Sequence, residues 1–372
     1  MRGLVKSGVS RALEGTGVDR WIGALSRTSG VPLVIGYHRV VGRFPQDRGN
    51  SIPSMLISTG MLERQLDWIG QRFRFVSLDE LGSGLEGGGF DTPVAAITFD
   101  DGYKDVYENA FPILKKKGIP AAVFVVTDLA GSSEPQVHDK LHLLLERLFQ
   151  TRPDFRLDSL LVSLGIRHPQ IVNVIGNSYK AMGSLIGVIP RDEIQQLVDA
   201  LQTEIEVDSR DYEEFRSLSW EMLAEMQAGG MTIGSHTKTH VLLTNEKRTR
   251  VLDEIAGSRQ DLEKRLGITV KHFAYPDGRF NTSAVSAVAA SGYRYAYTTC
   301  YHRDRNHPLL TIPRRVFWEN SCLDSLGRFS PAIMSCNVNR VFDLVSPCVK
   351  NHGWPVPSSV VARETVKQVG TL

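Results

Sequence analysis

The sequence has no long hydrophobic run, few cysteines and no excess of one charge. None of the apolar stretches in its 372 residues reaches the ~18 residues of a transmembrane helix. The net charge of +2 gives no electrostatic indication of nucleic-acid binding. With 42% hydrophobic and 23% charged residues, the composition is that of a globular protein with one large α/β domain and an insertion, or with two domains.

The cysteine pattern excludes the usual thiolate zinc and redox sites. All four cysteines lie in the last quarter of the chain without the Cys-x-x-Cys spacing of such sites. We expect free and mostly buried thiols, as in a reducing cytoplasm, at Cys300, Cys322, Cys336 and Cys348.

The first 30 residues do not resemble a signal peptide, because charged residues such as Arg11 and Asp19 interrupt any apolar core. We therefore expect a cytoplasmic protein without a cleaved leader. The same segment has the spacing of an amphipathic helix. It is interpreted either as a helix packed on the main domain or as a weak contact with a membrane surface.

Short apolar segments alternate with amphipathic helices along most of the chain. Strands are expected in VPLVIGYH, FVSLDEL, VAAITFDD, PAAVFVVTDL, MTIGSHT, VKHFAYPDG and YRYAYTT. Helices are expected in TGMLERQLDWIGQRF, YENAFPILKKKG and RVLDEIAGSRQDLEKRLG. This alternation predicts a parallel α/β sheet, open or closed into a barrel. Residues 131–217 instead look helical throughout, and we expect no catalytic cluster there.

Two adjacent carboxylates end one buried strand in the segment TFDDGY. Side chains alternate along a strand, so Asp100 and Asp101 share one space only if the strand ends there, and Gly102 allows that turn. Two like charges at one site call for compensation, for example by a metal ion. By itself, this segment also fits a helix cap beside a solvated aspartate.

A pair of histidines follows a second strand in GSHTKTH. If the backbone coils helically, His236 and His240 lie one turn apart, and imidazole is the commonest protein ligand for metals. Two histidines and one carboxylate leave a coordination position for water, as in catalytic zinc sites. The second aspartate would then act as general base.

A third segment, HFAYPDG, suggests a tight turn after a strand. Pro276 and Gly278 bracket Asp277, and a turn of this kind can direct a backbone N–H at a developing oxyanion. Alone, the segment would fit an ordinary loop.

Together, TFDDGY, SHTKTH and FAYPDG resemble the three central motifs of the polysaccharide deacetylase family, also called the NodB-homology group or carbohydrate esterase family 4. The resemblance covers residues 31–130 and 218–320. It implies a distorted (β/α)7 barrel, similar to a TIM barrel, with a helical insertion. The segments IGYHRV, MLERQLDWI and TIPRRV further resemble the branch that acts on exopolysaccharides and surface glycans. The expected division is an N-terminal helical segment (1–30), a barrel (31–322) with its insertion (about 131–217), and a C-terminal extension (323–372).

The resemblance also implies a role for each motif residue. Asp100 would be the general base, and Asp101, His236 and His240 would hold a divalent metal, usually Zn²⁺ and sometimes Co²⁺ or Ni²⁺. The N–H of Asp277 would bind the oxyanion. Further residues would line the substrate site: Tyr103, Tyr275 and Pro276.

One family motif has no clear copy here, the Leu-x-His whose histidine is the general acid. His302 and His307 lie in the corresponding part of the chain without its context. His38, in YHRV, is a second candidate for a proton donor or an orienting group. Arg314 is expected to steady either Asp100 or the substrate.

The function expected from these features is metal-dependent hydrolysis of the acetamide of an N-acetylated sugar, in a bacterial polysaccharide or in a lipid-linked or nucleotide-linked glycan precursor. Three alternatives remain open. They are an amidohydrolase acting on a small non-sugar amide, an iron oxygenase with the same ligand set, and an inactive glycan-binding barrel.

Overall fold

The computed structural model describes residues 2–26, 32–45, 50–168 and 176–344. Its strands are β1 (Leu33–Tyr37), β2 (Arg39–Val41), β3 (Leu56–Ser58), β4 (Arg74–Phe75), β5 (Val94–Phe99), β6 (Ala121–Val125), β7 (Thr232–Ser235), β8 (His272–Ala274), β9 (Tyr295–Thr298), β10 (Ile312–Pro313) and β11 (Arg315–Val316).

The helices alternate with these strands except in one long stretch. They are α1 (Arg2–Thr16), α2 (Val18–Ser26), α3 (Thr59–Gly70), α4 (Leu78–Glu86), α5 (Phe111–Lys117), α6 (Val137–Thr151), α7 (Leu157–Ser163), α8 (Ser178–Ile186), α9 (Arg191–Glu204), α10 (Trp220–Ala228), α11 (Arg248–Leu252), α12 (Ser258–Leu266), α13 (Thr282–Ala290) and α14 (Pro331–Val338).

The main sheet is parallel and closes into a barrel. Its order is β10-β9-β8-β7-β6-β5-β1-β11, with β4 added beside β5. β10 pairs with β9 and β11 pairs with β1, and only Arg314 separates β10 from β11 in the chain. One short segment therefore joins both edges of the sheet, and seven segments form the barrel wall. The predicted (β/α)7 fold is confirmed.

Side chains alternate between the inside and the outside of the barrel wall, as the period of a strand requires. One buried cluster combines alternate strand residues with α4, and includes Ala96, Phe124 and Tyr297. A second cluster packs the opposite strand faces against the surrounding helices, and includes Ile97, Val123 and Phe273. Polar residues on the inner face at the carboxyl ends of the strands can therefore meet.

Local chemistry sets several helix boundaries. Ser58 and Ser77 cap α3 and α4 by accepting backbone N–H groups. α5 ends in three lysines followed by Gly118 in the left-handed region, as its sequence predicts. The expectation of a strand in FVSLDEL is wrong beyond Phe75, because the Ser77 cap starts α4 at Leu78.

The helical insertion predicted at about 131–217 is present as α6 to α9 and a following 3₁₀ segment. It has an apolar core of its own, formed by residues such as Leu144, Leu148 and Leu197. The buried guanidinium of Arg39 ties it to the barrel. Nη2 of Arg39 donates to the backbone oxygen of Glu214, and Nε donates to Asp105 at 2.9 Å.

The N-terminal helices pack against α14, a helix that the weak periodicity of the C-terminal extension did not predict. This packing agrees with the first interpretation of residues 1–30, although Trp21 remains exposed. Within the described ranges, no helix has the length and hydropathy needed to cross a membrane. Cys322 and Cys336 are free and buried as expected, Cys300 is buried, and Cys348 lies outside the described residues.

Candidate active site

The three motifs follow β5, β7 and β8 and meet at the carboxyl edge of the barrel. The backbone there adopts the left-handed region, which is costly for residues with a side chain. Among the described residues, five other than glycine have a positive φ, and four belong to the motifs: Asp101 (70°), Thr237 (70°), His240 (60°) and Asp277 (52°). Such a concentration of strained backbone is typical of a functional site.

Asp101, His236 and His240 form a compact buried cluster. One ligand atom from each lies within 4.8 Å of the other two. Nε2 of His236 and Nε2 of His240 lie 3.4 and 3.1 Å from the same oxygen of Asp101, Oδ1. These are the three residues predicted to hold a metal.

The hydrogen bonds around this cluster fit a bound cation. Nδ1 of His236 lies 2.8 Å from the backbone oxygen of Ala274, so Nδ1 carries the hydrogen and Nε2 presents a lone pair. That lone pair faces a carboxylate oxygen. Both carboxylate oxygens of Asp101 are buried without a well-aligned hydrogen-bond donor in the described part of the chain. A cation between these atoms would satisfy them, and the donor set suits Zn²⁺.

The electrostatics of Asp101 favour its charged form. Burial raises the pKa of Asp101, but the nearby imidazoles of His240 and His236 outweigh burial and hold the pKa well below its usual value. Asp101 is therefore ionised over the whole range in which the protein would work.

The histidine segment is not helical, contrary to the expectation from its spacing. Thr237 and His240 have left-handed φ values, so a tight loop brings the two imidazoles together, with ring centroids 4.9 Å apart. Buried Glu254 holds this loop from the neighbouring helix. Its Oε2 accepts the N–H groups of Lys238 and Thr239 at 2.9 Å each.

Asp100 is held by a buried arginine. Nη1 and Nη2 of Arg314 donate to Oδ1 and Oδ2 of Asp100 at 2.6 and 2.7 Å. Burial raises the pKa of Asp100, but the Arg314 guanidinium and His236 outweigh it, so the pKa is lowered overall. Because the Arg314 side chain is completely buried, we assign it to positioning Asp100, the first of the two roles expected for it.

The third motif forms the expected tight turn. Pro276–Gly278 is a 3₁₀ turn in which Asp277 has a left-handed φ. The Asp277 side chain is partly exposed and accepts a hydrogen bond from Nε of Arg279 at 2.8 Å. Its charge acts to raise the pKa of His240, which places it beside the cluster.

Two tyrosines predicted to line the substrate site are completely buried. The hydroxyl of Tyr275 donates to the backbone oxygen of Leu310 at 3.0 Å. The hydroxyl of Tyr103 donates to Oδ2 of Asp139 at 2.6 Å. Both hydroxyls are therefore occupied within the protein, and we assign the two residues to the support of the site rather than to its open surface.

His38 lies at the site, as its position after β1 suggests. Burial lowers the pKa of His38, and the charges of Asp101 and Asp100 oppose this. Its Nδ1 is buried without a hydrogen-bond partner in the described part of the chain. Of the two late candidates for the general acid, His302 has its Nδ1 2.8 Å from Sγ of Cys300.

The insertion supplies a histidine and an aspartate that sequence reasoning missed. His138 and Asp139, at the start of α6, are buried at the cluster. Nε2 of His138 lies 2.8 Å from the Tyr103 hydroxyl and 4.0 Å from Oδ2 of Asp101, and its ring centroid lies 4.9 Å from that of His240. The insertion, in which no catalytic cluster was expected from the sequence, thus places two titratable side chains beside the candidate site.

Burial shifts the pKa of each new group in the direction of its neutral form, which leaves His138 neutral at pH 7 and Asp139 about half protonated. Burial lowers the pKa of His138 to about 3 and raises the pKa of Asp139 to about 7. The adjacent polar pair in QVHDK, at the start of an amphipathic helix, was the only sequence signal for this position.

A closed parallel barrel with a carboxylate–histidine–histidine cluster and a second, arginine-bound carboxylate defines a candidate hydrolytic metal centre. Comparison with known proteins gives the family. The family model described as polysaccharide deacetylase matches residues 87–149 and 175–296, which contain all three motifs and the start of α6. The chain belongs to the polysaccharide deacetylase family, whose members hydrolyse the C–N bond of an acetamide.

A curated relative from Staphylococcus epidermidis, a poly-β-1,6-N-acetyl-D-glucosamine N-deacetylase, is 31% identical over 109 residues. That match spans 27% of this chain and only 38% of the relative.

Two solved structures share the fold. IcaB from Ammonifex degensii has a TM-score of 0.52 at 20% identity, covering 83% of this chain and 97% of that one. The Streptococcus pyogenes deacetylase PplD has a TM-score of 0.50 at 19% identity, covering 78% and 93%.

Proposed function

We propose that this protein is a metal-dependent N-deacetylase that hydrolyses the acetamide of an N-acetylated sugar in a bacterial polysaccharide or glycan precursor. The observation that carries the proposal is the Asp101–His236–His240 cluster with a separate, arginine-bound Asp100 beside it. The relative that acts on an N-acetylglucosamine polymer supports this substrate class.

We propose that Asp101, His236 and His240 hold one divalent ion, Zn²⁺ first and Co²⁺ or Ni²⁺ as alternatives. When bound, such an ion would polarise the acetamide carbonyl and lower the pKa of a coordinated water towards ~7. The ionised form of Asp101 is the one that binds metal, and the contact of His236 Nδ1 with the Ala274 oxygen leaves its Nε2 for the metal.

Asp100 would act as the general base. Arg314 keeps its carboxylate ionised and fixes the direction of both oxygens, so that it can accept a proton from the attacking water. The backbone N–H of Asp277, in the strained turn after β8, would donate to the oxyanion.

The leaving amine also needs a proton. Two imidazoles beside Asp101 have a buried Nδ1 without a partner in the described part of the chain, His38 and His138. We propose His38 as the proton donor, because the charge of Asp100 also acts on it. The proton that Asp100 takes from water would pass through His38 to the leaving amine. His138, held by Tyr103, would then orient the cluster from the insertion side.

We further propose that residues 31–322 form the catalytic barrel and that α1 and α14, which pack together in the flanking segments, brace it. A cytoplasmic location and a weak membrane-surface contact of the N-terminal helix stay predictions of the sequence.

The direct test is acetate release from N-acetylglucosamine oligomers and from lipid-linked and nucleotide-linked N-acetylhexosamines. We expect activity after addition of one equivalent of Zn²⁺ or Co²⁺, loss with a chelator, and a decrease of about 10²–10⁴-fold in Asp100→Asn. Asp158→Asn, an exposed carboxylate in α7, is the matched control and should retain activity. Equal acetate release by Asp100→Asn, or none by the metal-loaded wild type on any of these substrates, would contradict the proposal.

A further inference from the structure

A cavity of about 440 Å³ lies between α6, the start of α8 and the segment that follows β11. This volume is within the roughly 300–1,000 Å³ typical of small-molecule sites. Polar and aromatic side chains dominate its lining: His142, Glu146, Asn177, Ser178, Tyr179 and Trp318. No role in the reaction proposed above uses any of them.

The cavity begins at His142, one turn of α6 after His138, which lies beside the metal-type cluster. His138, His142 and Glu146 recur every four residues and therefore share one face of α6. At a rise of 1.5 Å per residue, His142 and Glu146 lie about 6 and about 12 Å along the helix from His138. Since the ring centroid of His138 lies 4.9 Å from that of His240, the same helix face runs from the cluster into the cavity.

Trp318 enters the cavity from the barrel side. It follows β11 by two residues and so lies at the same carboxyl edge of the barrel as the motifs. Its side chain is partly exposed, which leaves an aromatic surface for a ligand. Tyr179, on α8, adds a second exposed aromatic ring. Flat aromatic faces suit the apolar C–H face of a pyranose ring.

The polar groups of the cavity suit a neutral, hydroxyl-rich ligand. Ser178 donates to Oε2 of Glu146, and Gln150 donates to Oε1 at 2.9 Å. Burial lowers the pKa of His142, so this imidazole is uncharged near pH 7. Among the described residues, no lysine or arginine lines the cavity and Glu146 forms no ion pair. A phosphate or another anion would therefore be repelled.

We propose that this cavity is a subsite for a second sugar unit of the glycan, beside the unit whose acetamide reacts. The second ring packs on Trp318, and its hydroxyls donate hydrogen bonds to acceptors such as the Glu146 carboxylate on α6. One helical turn of α6, about 5.4 Å, separates His138, beside the cluster, from His142 in the cavity, which is comparable with the length of one sugar unit. The inference rests on the proposed function and makes the insertion a determinant of substrate length.

The test compares a tetramer of N-acetylglucosamine with its single-unit methyl glycoside. The measured quantity is the ratio of kcat/KM for the tetramer to kcat/KM for the glycoside. We expect Trp318→Ala to lower this ratio about tenfold, mainly through KM. Glu146→Gln, which keeps the shape of the side chain, should lower it in the same direction if Trp318→Ala does not fold. Trp21→Ala removes an exposed tryptophan on α2 and should leave the ratio unchanged.

Calorimetric binding of the tetramer to the chelator-treated wild type and to Trp318→Ala separates this inference from the proposed function. Binding that weakens about tenfold in the variant supports the subsite even if no acetate is ever released. Suppose that acetate is released but that neither Trp318→Ala nor Glu146→Gln alters the chain-length ratio or the tetramer affinity. This result would overturn the subsite and leave the deacetylase proposal standing.

Discussion

Replacement of Arg314 by methionine would leave a buried carboxylate without its cation. The Arg314 side chain is completely buried, Asp100 is 3% exposed, and two short hydrogen bonds join them inside the barrel. Methionine has a similar length and no charge, so the packing changes little while the ion pair is lost. The variant therefore isolates the electrostatic role of this arginine.

Removal of one partner of a buried ion pair typically costs about 3–5 kcal/mol, because the other charge stays desolvated. We expect Arg314→Met to lower the free energy of unfolding of the metal-free protein by about that amount at pH 7. A typical domain has only about 5–15 kcal/mol in total, so this is a large fraction.

The loss should depend on pH with a definite sign. In the wild type the pKa of Asp100 is lowered, so its contribution is present above the pKa of the unfolded chain and disappears only in acid, as the pH falls through the folded pKa. In the variant, burial acts without the guanidinium and raises the pKa of Asp100. Protonation then relieves the penalty, so the difference between variant and wild type should be smaller at pH 5 than at pH 7.

Urea unfolding of chelator-treated protein at both pH values measures these differences. Asp100→Asn in the Arg314→Met background should restore part of the lost stability, because the uncompensated charge is gone. Arg315→Met is the matched control. Arg315 pairs with Asp343 near the surface, and its loss should cost no more than about 1 kcal/mol. Similar losses in the two single variants, or a loss independent of pH, would refute the reasoning.

Three further changes test other parts of the site. Glu254→Gln should weaken Zn²⁺ binding about 10–100-fold in a chelator competition, because it loosens the loop that carries His240. The metal-free wild type should lose stability between pH 5 and pH 8, because the pKa of Asp139 is raised to about 7 and its contribution is present in acid and lost as the pH rises through that value. Asp139→Asn should reduce this loss by roughly 1 kcal/mol per pH unit. Gly278→Ala should lower the melting temperature and the activity, since its φ is +65° and a Cβ there would lie 2.2 Å from Oγ1 of Thr299.

Each of these changes has a matched control in the same chain. Glu263→Gln on α12 should leave zinc affinity unchanged, and exposed Asp158→Asn should leave the pH dependence of stability unchanged. Gly118→Ala also places a side chain at a left-handed φ, but nothing lies within 4 Å of its Cβ, so it should cost only about 1 kcal/mol. If a control variant showed the same change in affinity or stability as its test variant, the assigned contact would not be the cause of that change.

Much of the barrel was predictable because its signals are local. Apolar strands, helix caps and the glycine after α5 each act within a few residues, and three motifs directly after strands indicated the catalytic edge. The sequence did not show that the two edges of the sheet join through Arg314. This closure depends on a segment of five residues that pairs with β9 at one end and with β1 at the other.

The candidate site was predicted where its residues follow strands and was missed where a helix supplies a neighbouring residue. His138 comes from an insertion, and only the tertiary fold brings α6 against the cluster. The spacing of His236 and His240 indicated the correct pair but the wrong backbone, because sequence spacing does not distinguish a helical turn from a loop with left-handed residues.

Metal content tests the central claim most directly, by mass spectrometry of the purified wild type and of His236→Ala, with His302→Ala as the matched histidine control. We expect about one divalent ion per chain in the wild type and in His302→Ala, and loss of that ion in His236→Ala. No bound metal in the wild type after zinc is supplied, or equal metal content in His236→Ala, would contradict the assignment of this cluster as the catalytic metal centre.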